Sequence, residues 1–169
     1  MKSKGFTLWL MPKGKIYKKF TNLINKLAKE YSAPEFKPHV TLLGDIDLSE
    51  REMIKRTKML VSGKRIFSIT LGQIDYEDYF FRTLFVKATL TEDLQNLHNR
   101  AKEVFEIKGI SIYMPHLSIL YGNYPENVKK KIIQEIGGNQ EAQWGVDGVV
   151  LMKGGEIRDW RLIKEFRFS

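Results

Sequence analysis

The strongest constraint on the fold is a five-residue pattern that occurs twice. Pro38-His39-Val40-Thr41-Leu42 and Pro115-His116-Leu117-Ser118-Ile119 both read Pro, His, apolar, hydroxyl, apolar. The chain of 169 residues holds three histidines, and two of them stand in these segments, 77 residues apart. Side chains along a strand alternate between faces. In each copy the imidazole and the hydroxyl therefore share one face, and the two apolar residues share the other. Such a strand has to lie between a core and an open cleft. A single His-x-Thr has no functional meaning. Two copies facing one cleft would bring together two proton-transfer groups and two hydroxyl donors, a set suited to acid–base chemistry on an oxyanion such as phosphate.

The surroundings repeat with the motif. A short apolar strand, 6–10, precedes a helix over 15–31 whose apolar residues Ile16, Phe20, Leu23, Ile24 and Leu27 follow helical spacing. Pro34 and Pro38 keep the next segment extended, and the first motif continues as a strand to about Leu43. Ser49-Glu50-Arg51-Glu52 has the form of a capping box and opens a helix to about Val61. Strands over 66–76 and 80–90 follow, then a helix capped by Thr91. The second motif lies on a strand over 111–121, and Pro125 opens a helix that stops at Gly137-Gly138. Strands over 142–153 and 157–168 close the chain, with Trp160, Leu162, Phe166 and Phe168 sharing one face of the last.

An offset of 77 carries 66–76 onto 143–153 and 80–90 onto 157–167. The expectation is an α+β fold: one bilobal domain over 1–169 with internal duplication, its two pseudo-symmetric lobes each an antiparallel sheet with outer helices. A central cleft would take one His-x-Thr/Ser motif from each lobe.

Composition removes several alternatives. With no cysteine in the chain, disulfide frameworks, cysteine nucleophiles and thiolate metal sites are excluded. Three histidines without close spacing make a poor metal site, so no metal or other cofactor is expected. The formal net charge of +8 favours anionic partners. No apolar run has membrane-spanning length and no signal peptide is apparent, so a cytoplasmic monomer without a membrane partner is expected.

The paired motifs resemble the signature of the two-histidine (2H) phosphoesterase superfamily. Three segments narrow the resemblance to its cyclic phosphodiesterase-like branch: Phe6-Thr7-Leu8-Trp9-Leu10-Met11-Pro12, Phe36-Lys37-Pro38-His39-Val40-Thr41-Leu42, and Tyr113 through Gly122 around the second motif. The resemblance implies metal-independent opening of ADP-ribose 1'',2''-cyclic phosphate, a product of a tRNA-splicing route, or of nucleoside 2',3'-cyclic phosphates. It places the catalytic histidines on His39 and His116, the phosphate-binding hydroxyls on Thr41 and Ser118, and aromatic substrate contacts on Trp9 and Tyr121. Plant members of the branch carry cysteines, which this chain lacks.

Two other functions fit the same residues. One is an RNA-end 2',3'-cyclic phosphodiesterase or 2'-5' RNA ligase-like enzyme, with RNA as partner. Such relatives commonly place Arg where Tyr121 stands here, which favours a small cyclic-phosphate nucleotide as the substrate. The other is a non-catalytic RNA- or nucleotide-binding module, which has no need of two titrating groups. His98 is expected at the exposed edge of its helix, and Lys129-Lys130-Lys131 on a solvated helix face. Tyr79, Tyr124 and Trp144 are weaker site candidates.

Overall fold

The structure is a computed structural model and describes residues 1–109 and 112–169. Four helices pack on one antiparallel sheet. The strands are β1 (Phe6–Leu10), β2 (Val40–Ile46), β3 (Phe67–Tyr76), β4 (Leu84–Ala88), β5 (His116–Leu120), β6 (Asn139–Val146), β7 (Gly148–Lys153) and β8 (Arg161–Arg167). The helices are α1 (Gly14–Tyr31), α2 (Glu50–Val61), α3 (Glu92–Val104) and α4 (Glu126–Ile136). Among the described residues no helix is long and apolar enough to cross a membrane.

The helices form where their caps and apolar spacing place them. Ser49 accepts a hydrogen bond from the Glu52 amide and Thr91 accepts one from the Leu94 amide, each at 3.3 Å. These satisfy donors that a helix start otherwise leaves open. Helix α1 buries Phe20, Ile24 and Leu27, the stripe expected from spacing alone.

The strand order is β6-β3-β4-β5-β2-β1-β7-β8, with every recorded pairing antiparallel. The histidine strands β2 and β5 are central neighbours, and the register between them records one pair, Val40 with Leu117. Four strands lie on each side of this seam. The expected lobes are therefore halves of one sheet. Beyond the seam, side chains reach the β2 backbone: the Tyr113 hydroxyl donates to Thr41 O at 2.8 Å and His98 Nδ1 donates to Leu42 O at 2.8 Å.

Several local expectations change. The expected strand 142–153 divides at Asp147 into β6 and β7, which pair in opposite halves of the sheet. Val146 and Gly148 are close in the chain but belong near opposite edges, and Phe67 of β3 stacks on Phe168 beyond β8 at 6.2 Å. The sheet is therefore curled until its edges approach. Gly148 permits this crossing, because a Cβ there would lie 2.1 Å from Phe166 O.

The segments expected to begin strands at 80 and 157 instead begin with short 3-10 turns, Phe80–Arg82 and Ile157–Asp159. In the last strand the register shifts between Leu151–Lys164 and Met152–Leu162. One extra residue at a bulge reverses the faces. Leu162 is accordingly 42% exposed while Ile163 packs on the core, so the four residues expected on one face do not share it. The described part of the second histidine strand begins at His116, and the expected start at Ser111 lies outside the described residues.

His98 and Lys129 are both buried, against expectation. The His98 ring stacks on Tyr113 at 4.0 Å. Lys129 Nζ donates to Glu77 O at 3.1 Å and pairs with Asp78, leaving its side chain 1% exposed. Sequence spacing cannot reveal this, because the acceptors come from the β3–β4 connection. Lys130 and Lys131 do lie on the solvated face.

The three lysines should separate in urea unfolding. Lys129→Ala strands a buried acceptor and should cost about 1–3 kcal/mol, whereas Lys130→Ala and Lys131→Ala should stay within about 0.5 kcal/mol of the parent. Equal midpoints for all three variants would contradict the buried placement.

Candidate active site

The proline of each motif is a placement device. A residue ahead of proline is held in extended backbone, and here that residue, Lys37 or Met114, turns its carbonyl to the histidine two positions on. His39 Nδ1 lies 2.7 Å from Lys37 O, and His116 Nδ1 lies 2.9 Å from Met114 O. A carbonyl only accepts, so each Nδ1 carries the proton and donates it. In the neutral ring Nε2 then holds a free lone pair. The two halves thus present the same tautomer by the same local contact.

Alternation does the rest. Val40 and Leu42 are buried in the core, as are Leu117 and Ile119. His39, Thr41, His116 and Ser118 line a pocket of about 460 Å3 on the other face, and Trp9 and Tyr121 line it too. All six residues named from the sequence are therefore brought together. Among the described residues, no group of three or more His, Asp and Glu side chains is placed to hold a metal ion.

The surroundings differ between the two imidazoles. His39 is 6% exposed, and the Trp9 ring lies parallel to it at 3.6 Å and 7°. Burial pushes His39 down to about 4, the Lys37 carbonyl opposing and His116 adding to the shift. His116 is less buried and meets Phe85 edge-on at 5.0 Å. Burial also lowers His116; the Met114 carbonyl and Glu77 act against this and Arg82 with it. Desolvation disfavours the charged imidazolium in both cases.

Both expected aromatic contacts are more enclosed than a free stacking surface would be. Trp9 gives one face to His39 and meets the Trp160 ring near-perpendicular at 5.5 Å, and it is 3% exposed. Tyr121 stacks on Phe36 at 3.7 Å, and burial pushes its phenol up. It reaches the pocket because β5 ends at Leu120 and Gly122 takes φ +143. An added Cβ at Gly122 would lie 2.4 Å from the Tyr124 ring. The Ser118 hydroxyl donates to Phe81 O at 2.8 Å.

Among the residues of the pocket wall that sequence reasoning missed are Thr7, Phe81, Arg82 and Trp160. Thr7 could have been found, since it shares a strand face with Trp9. The other three lie at the 3-10 turns, which periodicity read as strand. Of the weaker candidates, Tyr79 also lines the pocket, Tyr124 donates to Tyr31 O at 2.9 Å, and Trp144 is buried in the core.

Comparison with known proteins identifies the family and the fold. The family model described as "Cyclic phosphodiesterase-like protein" matches residues 4–168. The chain is 27% identical over 130 residues to an Arabidopsis thaliana protein named cyclic phosphodiesterase, covering 77% of this chain and 72% of that one. It is 27% identical over 191 aligned positions to a Phaeosphaeria nodorum protein named 2',3'-cyclic-nucleotide 3'-phosphodiesterase, covering 95% and 97%. The fold is shared with E. coli LigT, whose crystal structure was solved with 3'-AMP, at a TM-score of 0.64 and 12% identity over 100% of this chain and 99% of the other. With nearly its whole length matched by the family model, the chain belongs to the cyclic phosphodiesterase-like protein family and is, with it, a phosphodiesterase.

Proposed function

We propose that the protein hydrolyses the cyclic phosphate of small nucleotides, ADP-ribose 1'',2''-cyclic phosphate and nucleoside 2',3'-cyclic phosphates, to the ring-opened monophosphate. The observation that carries this reading is the matched pair of imidazoles, each donating Nδ1–H to a backbone carbonyl and lining one pocket. Water adds to phosphorus, one bond from phosphorus to a sugar oxygen breaks, and the product is a monoester beside a free hydroxyl. One histidine takes the proton from water and the other gives a proton to the departing oxygen. Charge grows on the non-bridging oxygens, where the Thr41 hydroxyl stands as a donor; the Ser118 hydroxyl, expected beside it, is committed to Phe81 O.

The unequal surroundings suggest the roles. His39, held neutral by burial beside Trp9, suits the base. His116, less buried than His39 and with the Met114 carbonyl opposing the effect of burial, suits the acid. Trp160, Phe81 and Tyr79 would meet the rest of the ligand; Phe81 and Trp160 are stacked with centroids 6.1 Å apart. The small-nucleotide reading is also supported by the activities for which the two relatives are named and by 3'-AMP in the LigT crystal.

Phosphorus NMR on ADP-ribose 1'',2''-cyclic phosphate, the 2',3'-cyclic nucleotides and RNA ending in a cyclic phosphate tests the reading directly. Ring opening of the small substrates is expected, and turnover confined to RNA would move the assignment to an RNA-end enzyme. His39→Ala and His116→Ala should each lower turnover by roughly 10²–10⁴-fold; near-normal activity in either folded variant would remove the two-histidine mechanism. Activity should persist after exhaustive dialysis against EDTA, and a loss restored by a divalent ion would point to metal-assisted hydrolysis.

The pH dependence follows from the two shifts. The active form needs His39 neutral, which holds above about pH 4, and His116 protonated, which holds only below its lowered midpoint. The profile of kcat/KM should therefore be a bell with its rising limb near pH 4 and its falling limb below 6.5. A bound phosphate favours imidazolium, so the falling limb of kcat should lie at higher pH than that of kcat/KM. A kcat/KM still climbing above pH 7 would contradict the roles assigned.

A further inference from the structure

The second half of the pocket differs from the first in what its hydroxyl is doing. Among the described residues Thr41 Oγ1 has no hydrogen-bond partner, whereas Ser118 spends its proton on Phe81 O at 2.8 Å. A donor committed to the backbone cannot also point at an anion. The next residue after that acceptor is Arg82, which lines the same pocket and acts on the charge of His116.

The turn that carries Arg82 is held from several directions. Its own backbone closes it, Arg82 N donating to Tyr79 O at 2.9 Å and Glu77 N to Arg82 O at 3.1 Å. Gly122 N donates to Phe80 O at 3.0 Å, and the Thr83 hydroxyl donates to Gly122 O. The buried Lys129 reaches Glu77 O from α4. The Ser118 contact with Phe81 belongs to this set. These bonds tie the turn to the end of β5 and to α4, so the residue following Phe81 has a fixed origin.

The side chain is oriented as well. Glu77 Oε2 lies 2.8 Å from Arg82 Nε, and the guanidinium carbon sits 5.1 Å from the centroid of the Tyr79 ring. The carboxylate pairs by charge with the Nε side of the guanidinium, outside hydrogen-bond geometry, and the ring covers one face. The terminal nitrogens, as described, take no ion pair. A guanidinium held in this way presents a planar pair of donors matched to two phosphate oxygens. Preorganisation of this kind reduces the ordering cost of binding.

We propose that Arg82 is a phosphate-binding residue of the pocket, with Glu77 and Tyr79 positioning its guanidinium and Ser118 holding the turn that carries it. This deepens the cyclic-phosphate reading and rests on it for the identity of the ligand. The ligand chemistry required is an anionic phosphate group next to His116. Of the other charged groups, Glu77 stands on the same turn, His39 lies across the seam, Lys87 on β4 is paired with Asp75 at 2.8 Å, and Lys2, Lys4, Asp45 and Lys153 also line the pocket. Arg82 opposes a proton on His116 in the empty pocket. Once a phosphate is bound, its charge faces both groups and relieves that opposition, so binding itself favours the acid form of His116.

The test uses inorganic phosphate and NMR titration of the histidine rings, and needs no turnover. Arg82→Gln should weaken phosphate binding about tenfold or more, the usual loss for a hydrogen bond to a charged group. Arg82→Lys should keep part of the affinity. Glu77→Gln keeps the cation and should weaken phosphate less than Arg82→Gln. In the phosphate-free protein the His116 midpoint should rise in Arg82→Gln and fall in Glu77→Gln, which a purely structural role for the ion pair would not produce. Unchanged phosphate affinity in Arg82→Gln overturns the proposal, whatever the midpoint does. So does an equal loss in Glu77→Gln, which would mark the ion pair as a brace for the turn. Phosphate held through Arg82 by a protein that opens no cyclic phosphate would overturn the function proposed above and leave this inference standing. Cyclic-phosphate turnover with wild-type phosphate affinity in Arg82→Gln would do the reverse.

Discussion

The site depends on one local contact made twice: an imidazole Nδ1–H donated to the carbonyl two residues earlier, with proline between them. This contact fixes the tautomer, fixes the ring, and leaves the lone pair of the neutral ring on Nε2. It needs no partner from elsewhere in the chain. Everything else in the structure brings two such units face to face and controls what surrounds them.

Bringing them together is the task of the curled sheet. Strands β2 and β5 are adjacent but share one recorded pair, Val40 with Leu117. So narrow a seam lets the two halves diverge and leaves a pocket where a flat sheet would have none. It also leaves β2 carbonyls to be satisfied by side chains, which is the work of Tyr113 and His98. An unpaired buried carbonyl costs more than the average hydrogen bond contributes, so these two residues belong to the architecture of the cleft although neither lines it. The third histidine is thus structural.

Burial then makes the two imidazoles unequal. Trp9 seals one face of His39, and the resulting desolvation outweighs the help of the Lys37 carbonyl. His116 shares its surroundings with an ion pair, Glu77–Arg82, whose two members act on it in opposite directions. A near-symmetric sequence motif therefore gives an asymmetric electrostatic site. The asymmetry enters through residues outside both motifs, and the proposed hydrolysis requires one neutral and one protonated ring.

Much was legible in the sequence because it is local. Alternation in Pro-His-x-Thr/Ser-x set the faces of His39, Thr41, His116 and Ser118, and caps at Ser49 and Thr91 set the helix starts. The presence of the motif in two copies implied one shared cleft. Tertiary structure decided the remainder, for reasons that periodicity cannot carry. The division of the expected strand 142–153 at Asp147 follows from which neighbours β6 and β7 find across the curled sheet. The bulge at Ile163 follows from the partner strand. The turn at Phe80–Arg82 exists because Gly122 and Ser118 hold its carbonyls and Lys129 holds that of Glu77 just before it, and all three come from more than thirty residues away. The chain alone thus specified which groups face the shared pocket, and only the fold decided how deeply each is buried and which charge stands beside it, because burial and charge proximity are properties of long-range neighbours.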